Sequence, residues 1–290
     1  MTTTSSHETP RTRGESEGSA ERGRGVKGGR VLVTGASGGI GYELAKLFAG
    51  DKHDLVLVSR NGEKLEQVAH EIKNAHGVRC AVFAGDLAVP GSPDALYAEI
   101  KKSAIDVEVL VNNAGFGALG PFHKLPLDEQ LEMIQLNVTS LAHLTRLFLP
   151  DMVARKHGRI VNVASIAAYQ PGPFMAVYYA TKAFVVSFSE AIANELGGTG
   201  VKVTAIVPGP TTTGFGRRAG ADKSTLFHKG MTMDAATVAR IGYEGMKRNK
   251  TIVITGTKNK LLALGGRLAP RRLSAVIARS LNEPRVPKTE

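Results

Sequence analysis

The strongest constraint on this chain is a set of short apolar runs with almost no polar positions. Val-Leu-Val-Thr stands at 31–34 and Leu-Val-Leu-Val at 55–58. A strand with one solvated face alternates apolar and polar residues, and one that does not is buried on both sides. Sheets buried on both sides are parallel, and helices form their crossovers. Strand candidates lie at 30–34, 54–59, 78–85, 109–112, 159–164, 201–207 and 251–255. Amphipathic stretches separate them. Asn61 is placed to cap a helix from Glu63 to about Ala75, which Gly77 closes. Ser92-Pro93 opens another, with proline in the first turn. A long helical pattern from Leu127 contains Pro150, which should break or kink it. The predicted fold is α/β: a doubly wound, Rossmann-type parallel sheet of about seven strands, in a single domain.

The flanks differ in texture. Residues 1–29 are rich in Ser, Thr, Gly, Arg and Glu, with Val26 the only sizeable apolar residue after Met1. Such a segment buries too little to offset its ordering entropy, so a disordered N-terminal tail is expected. Glu8, Glu15, Glu17 and Glu21 argue against a transit peptide. The folded domain is expected over 30–256, followed by a basic helical extension over 257–290. The chain carries a formal net charge of +11, and 11 Lys or Arg against two Glu fall between Met246 and Glu290. No aromatic residue follows Tyr243, which argues against nucleic acid as a partner.

An anionic surface, such as a lipid headgroup layer, suits that basic segment better. Leu273, Val276, Ile277 and Leu281 share one helical stripe, with Arg271, Arg272 and Arg279 off it, while Gly265, Gly266 and Pro270 are expected to break any longer helix. The stripe either docks on the body or a sister subunit, or lies on an anionic membrane. Cys80 is the only cysteine, so no intramolecular disulfide forms and a reducing compartment is the default. No apolar run is long enough to span a bilayer, and no N-terminal apolar stretch resembles a secretory signal. A cytoplasmic protein, membrane-peripheral at most, is expected.

The first strand runs into Thr34-Gly35-Ala36-Ser37-Gly38-Gly39-Ile40-Gly41, and a helix follows. Glycines serve where backbone turns tightly and approaches a pyrophosphate. The helix N-terminus then offers free N–H groups and partial positive charge. Gly35, Ser37, Gly38, Gly39, Ile40 and Gly41 are therefore candidate cofactor contacts. The same residues also fit G-x-S-x-G, the nucleophile elbow of serine hydrolases, with Ser37 as nucleophile and His228 as a candidate base. That elbow would follow the first strand, leaving no upstream strands to supply an oxyanion hole.

The second strand ends in Ser59-Arg60, 19 residues after Gly41. Asp or Glu there would bond the ribose hydroxyls of NAD(H), whereas a guanidinium grips a 2′-phosphate. Arg60 predicts preference for NADP(H), with NAD(H) as the alternative. Further on, Tyr178 and Lys182 stand at i and i+4 on one helix face, 13 residues after Ser165. An ammonium beside a phenol, together with an oxidised nicotinamide, favours phenolate and is expected to lower its pKa, so Tyr178 is a candidate acid/base for a carbonyl oxygen. Tyr179 has Ala183 at i+4 and lacks that partner.

In order and spacing, these pieces resemble the short-chain dehydrogenase/reductase family over about residues 30–256. The matching residues are Thr34-Gly35-xxx-Gly39-x-Gly41, Asp86-Leu87, Asn112-Asn113-Ala114-Gly115, Asn137, Ser165, Tyr178, Lys182 and Pro208-Gly209-xxx-Thr213. The resemblance implies that Ser165 holds the substrate oxygen and Tyr178 is the acid/base. It implies that Lys182 bonds the nicotinamide ribose and that Asn137 positions a water linking Lys182 to solvent. It further implies that Asp86, with Leu87, meets the adenine, that Asn112, Asn113, Ala114 and Gly115 flank the adenosine half, and that Pro208, Gly209 and Thr213 line the nicotinamide pocket. A dimer or tetramer of identical chains is implied as well.

The eight histidines show no metal-ligand pairing. The stretch 211–233, rich in glycine but carrying Phe215, Leu226, Phe227 and Met231, resembles a substrate lid. The expected function is hydride transfer between a nicotinamide cofactor and a small-molecule carbonyl or alcohol, with an apolar ketone, steroid or acyl thioester as substrate. A non-catalytic dinucleotide-binding regulator and a serine hydrolase using Ser37 are the alternatives.

Overall fold

The computed structural model describes residues 29–220 and 232–283. The expected disorder of residues 1–28 and the central part of the expected lid lie outside them. Seven parallel strands form one sheet: β1 (Arg30–Thr34), β2 (Asp54–Ser59), β3 (Cys80–Ala84), β4 (Val107–Asn112), β5 (Gly158–Val163), β6 (Val201–Val207) and β9 (Ile252–Ile254). Their spatial order is β3-β2-β1-β4-β5-β6-β9. Two short strands, β7 (Thr211–Thr212) and β8 (Met233–Asp234), pair separately. All seven expected strands are present, most with ends shifted by one or two residues.

Alternation along each strand builds two cores. Val31, Val33, Leu55, Leu57, Val109 and Val111 face one side, where they meet helices α1 (Gly39–Gly50), α2 (Gly62–His76) and α8 (Ala235–Lys247). Leu32, Val56, Val58, Leu110 and Ile160 face the other, against α3 (Ser92–Lys102), α5 (Leu141–Ala154) and α6 (Ala176–Glu195). Each such side chain, fully buried, contributes about 1.5–3 kcal/mol. Because β1 lies between β2 and β4, the connections leave it toward opposite faces. The crevice beyond the ends of β1 and β4 is where open α/β sheets place ligands.

Local signals act as expected around α2. Asn61 Oδ1 accepts from Lys64 N at 2.9 Å, and Gly77 closes the helix in the left-handed region. The stretch from Leu127 departs from expectation. Helix α4 (Leu127–Ile134), a π-helical turn (Gln135–Ser140) and α5 follow without a break, and α5 runs through Pro150. The irregularity therefore falls at the π turn, which carries Asn137, and not at the proline. Near the C-terminus, α9 (Thr257–Leu268) runs through Gly265 and Gly266, so only Ala269 and Pro270 separate it from α10 (Arg271–Asn282). Gly266 packs so closely on Tyr169 that a Cβ there would lie 2.8 Å from its carbonyl oxygen.

Candidate active site

The glycine turn is built by stitching the ends of β1 and β4 together. Thr34 Oγ1 donates to Val111 O at 3.2 Å and accepts from the backbone N–H groups of Asn113 and Ala114, each at 3.0 Å. Asn113 Nδ2 donates to Thr34 O at 2.9 Å and Gly35 O at 3.2 Å. Gly35 and Gly39 take positive φ of 66° and 57°. Helix α1 then starts after Gly38 with no side-chain cap, leaving its first N–H groups to whatever enters the crevice.

A cleft of about 1060 Å³ opens there. Its lining brings together Gly35, Ser37, Gly38, Gly39, Ile40, Ser59, Arg60, Asp86 and Leu87 with Ala114, Gly115, Pro208, Gly209 and Thr213, and with Ser165, Tyr178 and Lys182. Thr213 lies against Gly39, and Lys182 against Gly115. A Cβ on Gly38 would find only the Lys64 ammonium within 4 Å, so the backbone there is open to a phosphate. Ser59 Oγ, beside Arg60, is buried without a partner.

Three expected contacts stand back from the cleft. Asn112 ends β4 pointing into the core, where its Nδ2 donates to Thr145 Oγ1 at 3.1 Å and Asn162 Oδ1 at 3.0 Å. Gly41 is a packing glycine: a Cβ would lie 2.4 Å from Asn113 Nδ2 and 2.6 Å from Gly35 O. Asn137 is buried in the π turn. Its Oδ1 accepts from Phe116 N at 3.1 Å, and its Nδ2 donates to Phe116 O at 2.9 Å and Thr181 Oγ1 at 3.1 Å. It thus ties the segment after Gly115 to helix α6, one residue from Lys182.

Tyr178, Lys182 and Ser165 are all buried. Ser165 lies beside the Tyr178 phenol, close enough to lower its pKa, and its Oγ accepts from Ala167 N at 3.2 Å. Lys182 Nζ donates to Val163 O at 2.8 Å and stands 5.9 Å from the Tyr178 ring centre. The protein's own groups do not soften the phenol. Burial dominates and pushes Tyr178 up to about 12, against the lowering effect of the Ser165 hydroxyl. Burial also pushes Lys182 down to about 8. At neutral pH the phenol holds its proton and is poised as an acid.

Of the Asn112–Gly115 run, Asn113, Ala114 and Gly115 line the cleft and Asn112 does not. Other contributors were not foreseen. Lys64, Arg217 and Arg218 join Arg60 around it. Helical spacing from Arg60 would have pointed to Lys64. Arg217 and Arg218 belong to α7 (Gly214–Arg218), capped by Thr213 Oγ1, which accepts from Phe215 N at 3.2 Å. The Arg218 guanidinium lies 4.1 Å over the Phe116 ring, and burial, then repulsion from Arg60, lowers its pKa. Phe215 packs against Tyr178 at 5.2 Å between ring centres, so the described start of the 211–233 stretch lies on Tyr178. Arg60 Nη1 lies 3.6 Å from Asp86 Oδ2 across the mouth. His228, the base a hydrolase reading needs, falls outside the described residues. Among the described residues no cluster of His, Cys, Asp or Glu is arranged to hold a metal.

Residues 29–224 match the family model for short chain dehydrogenase. The chain is 34% identical over 227 residues to a very-long-chain 3-oxoacyl-CoA reductase of Pyrenophora tritici-repentis, covering 76% of this chain and 65% of the relative. It is 38% identical over 197 residues to the protein of the same name from Anas platyrhynchos, covering 66% of this chain and 62% of that one. The chain thus spans about two thirds of the length of these relatives. A short-chain dehydrogenase from Sphingobium yanoikuyae, solved in complex with NADPH, superposes with a TM-score of 0.75 at 32% identity, over 82% of this chain and 92% of that one. With strand order, glycine turn and the Ser165–Tyr178–Lys182 constellation in one cleft, and with the match spanning most of its folded residues, the chain belongs to the short-chain dehydrogenase family.

Proposed function

We propose that this chain is an NADP(H)-dependent oxidoreductase that reduces the carbonyl of an apolar small molecule, or oxidises the corresponding alcohol. The observation that carries this reading is the buried Tyr178 phenol, beside Ser165 and one helical turn from Lys182, in the cleft that the glycine turn also lines. When bound, the nicotinamide supplies the hydride. Ser165 holds the substrate oxygen, and Tyr178 donates its proton to that oxygen. Lys182 is held by Val163 O and faces the same space, where it bonds the nicotinamide ribose. Asn137 holds α6 and the segment after Gly115 together. Gly35, Ser37, Gly38, Gly39 and Ile40 cradle the pyrophosphate. Pro208, Gly209 and Thr213 flank the nicotinamide, and Asp86, Leu87, Ala114 and Gly115 the adenosine half.

Preference for NADP(H) rests on Arg60 and Lys64, with NAD(H) as a weaker alternative; the NADPH complex of the Sphingobium relative supports it. Met175, Phe215, Ile166 and Leu136 line the substrate end, which suits a ketone, a steroid or an acyl thioester. The names of the fungal and avian relatives favour a 3-oxoacyl thioester. Residues 30–256 form the catalytic domain, after an N-terminal tail over 1–29, and 257–290 are an extension. A homo-oligomer is part of this reading, supported by Leu127, Leu131 and Ile134, which expose one apolar stripe on α4. So is a site of action in the cytoplasm, at or near an anionic membrane. Among the described residues no helix is long and apolar enough to cross a membrane.

The test is a panel of ketones, steroids and short 3-oxoacyl thioesters, followed by NADPH absorbance. Tyr178→Phe should bind NADPH normally and lose about 10²–10⁴ in rate, the usual worth of a general acid. Full turnover by that variant would overturn the assignment.

A further inference from the structure

Helices α9 and α10 are built inside out. Their body-facing sides carry small or polar residues: Asn259 and Ala263 on α9, and Ser274, Ala278 and Asn282 on α10, all buried. Their large apolar side chains point the other way. Leu268 is 77% exposed, Leu261 68% and Val276 65%, and Leu264, Leu273 and Ile277 are also exposed. The sequence left the stripe of α10 either docked on the body or a sister subunit or lying on an anionic membrane, and the body takes the opposite face. The reason lies in the fit of that inner face. Tyr179 Oη donates to Asn282 Oδ1 at 3.2 Å, and Asn282 Nδ2 donates to Pro173 O at 2.9 Å. Buried polar atoms need such partners more than leucines need cover.

The outer face carries charge of one sign. Between Thr257 and Asn282 stand six Lys or Arg and no Asp or Glu. Arg267 reaches Glu190 and Arg279 reaches Glu283. Lys258, Lys260, Arg271 and Arg272 are exposed and, among the described residues, make no ion pair. Apolar residues on the outward side with cations at their flanks let the leucines enter an acyl layer while the ammonium and guanidinium groups stay among headgroup phosphates. A second copy of the chain would have to present the same basic face, since a two-fold interface is self-complementary, and the cations would repel.

We propose that the outer face of α9 and α10 docks on an anionic lipid surface. The hairpin's inner face rests on the Pro173–Tyr179 segment, where Arg279 also lies 5.0 Å over the Phe174 ring. Met175 in that segment lines the substrate end of the cleft. Docking therefore sets that end beside the bilayer, where apolar substrates collect. The binding claim goes beyond the hydride-transfer reading and does not depend on it.

The test is co-sedimentation of the full chain with phosphatidylcholine vesicles, with and without phosphatidylglycerol, read alongside NADPH binding and light scattering. Binding should require phosphatidylglycerol and fall with added salt. Arg271→Gln with Arg272→Gln should weaken it roughly 30-fold, at about one tenfold step per 1.4 kcal/mol and about 1 kcal/mol per cation. Leu264→Ser with Leu268→Ser and Val276→Ser should abolish it, with NADPH binding retained. The proposal is overturned if the protein ignores anionic vesicles or the variants bind them as well as the parent. It is equally overturned if the serine variants turn a dimer into a monomer, which would assign the face to a second copy.

Discussion

Lys182 Nζ donates to Val163 O at 2.8 Å, so the ammonium of the catalytic helix is anchored to the last residue of β5. The bond fixes where the cation stands, and burial makes its proton easier to lose, with a pKa of about 8. The acid Tyr178, pushed up to about 12, keeps its proton throughout the range in which Lys182 titrates. Reduction should therefore be flat through neutrality and fall as pH rises through about 8, as the ammonium becomes neutral. The check is kcat/KM for carbonyl reduction against pH. A rate constant to about pH 10, the ordinary range of a lysine, would show that the charge of Lys182 is not used. Stability should move the opposite way. A base with a lowered folded-state pKa is favoured in its neutral form, so this site adds stability as pH climbs from about 8 toward the ordinary lysine value.

Arg60 is half-exposed and shared with Asp86, so its grip on a 2′-phosphate is moderate, and Lys64 stands on the same side of the cleft. Arg60→Asp should weaken NADPH by roughly tenfold and leave NADH unchanged or improved, with Lys64→Ala adding to the loss. Fluorescence titration of both cofactors measures it. Unaltered discrimination in the double variant would remove these two cations from the specificity.

Two glycines of one turn should fail in different ways. A Cβ at Gly41 meets Asn113 and the Gly35 carbonyl, both inside the protein, so Gly41→Ala should cost about 1–3 kcal/mol of stability. Gly38 has extended backbone and open space, so Gly38→Ala should fold normally and bind NADPH poorly. Thermal melts with and without NADPH separate the two. Equal loss of stability in both would mean that neither glycine is there for a ligand.

Asn282 joins the last helix to Tyr179 and Pro173 with both ends of its amide. Asn282→Ala leaves a buried phenol and a carbonyl without partners, at a cost of about 1–3 kcal/mol. Denaturant unfolding should show it, while Ser280→Ala, on the exposed side, should not. KM should rise and kcat should fall together, because the loosened segment carries both Met175 and, beside Tyr179, Tyr178.

Much of this protein follows from sequence alone. Apolar runs without polar positions require a sheet covered on both faces, because unsolvated strands have no other stable arrangement. Asn61 and Gly77 bound their helix because capping is a contact among near neighbours. Tyr178 and Lys182 share a face because helical spacing fixes it. Tertiary structure decided the rest. Asn112 and Asn113 are the same residue side by side, and only the pleat at the end of β4 sends one into the core and the other to the glycine turn. Periodicity grouped Leu273, Val276 and Ile277 on one side of α10, but which side the body covers depended on Tyr179 and Pro173, about a hundred residues away. Spacing along a chain states which side chains lie together; what lies opposite them is a property of distant segments, known only once the chain has folded.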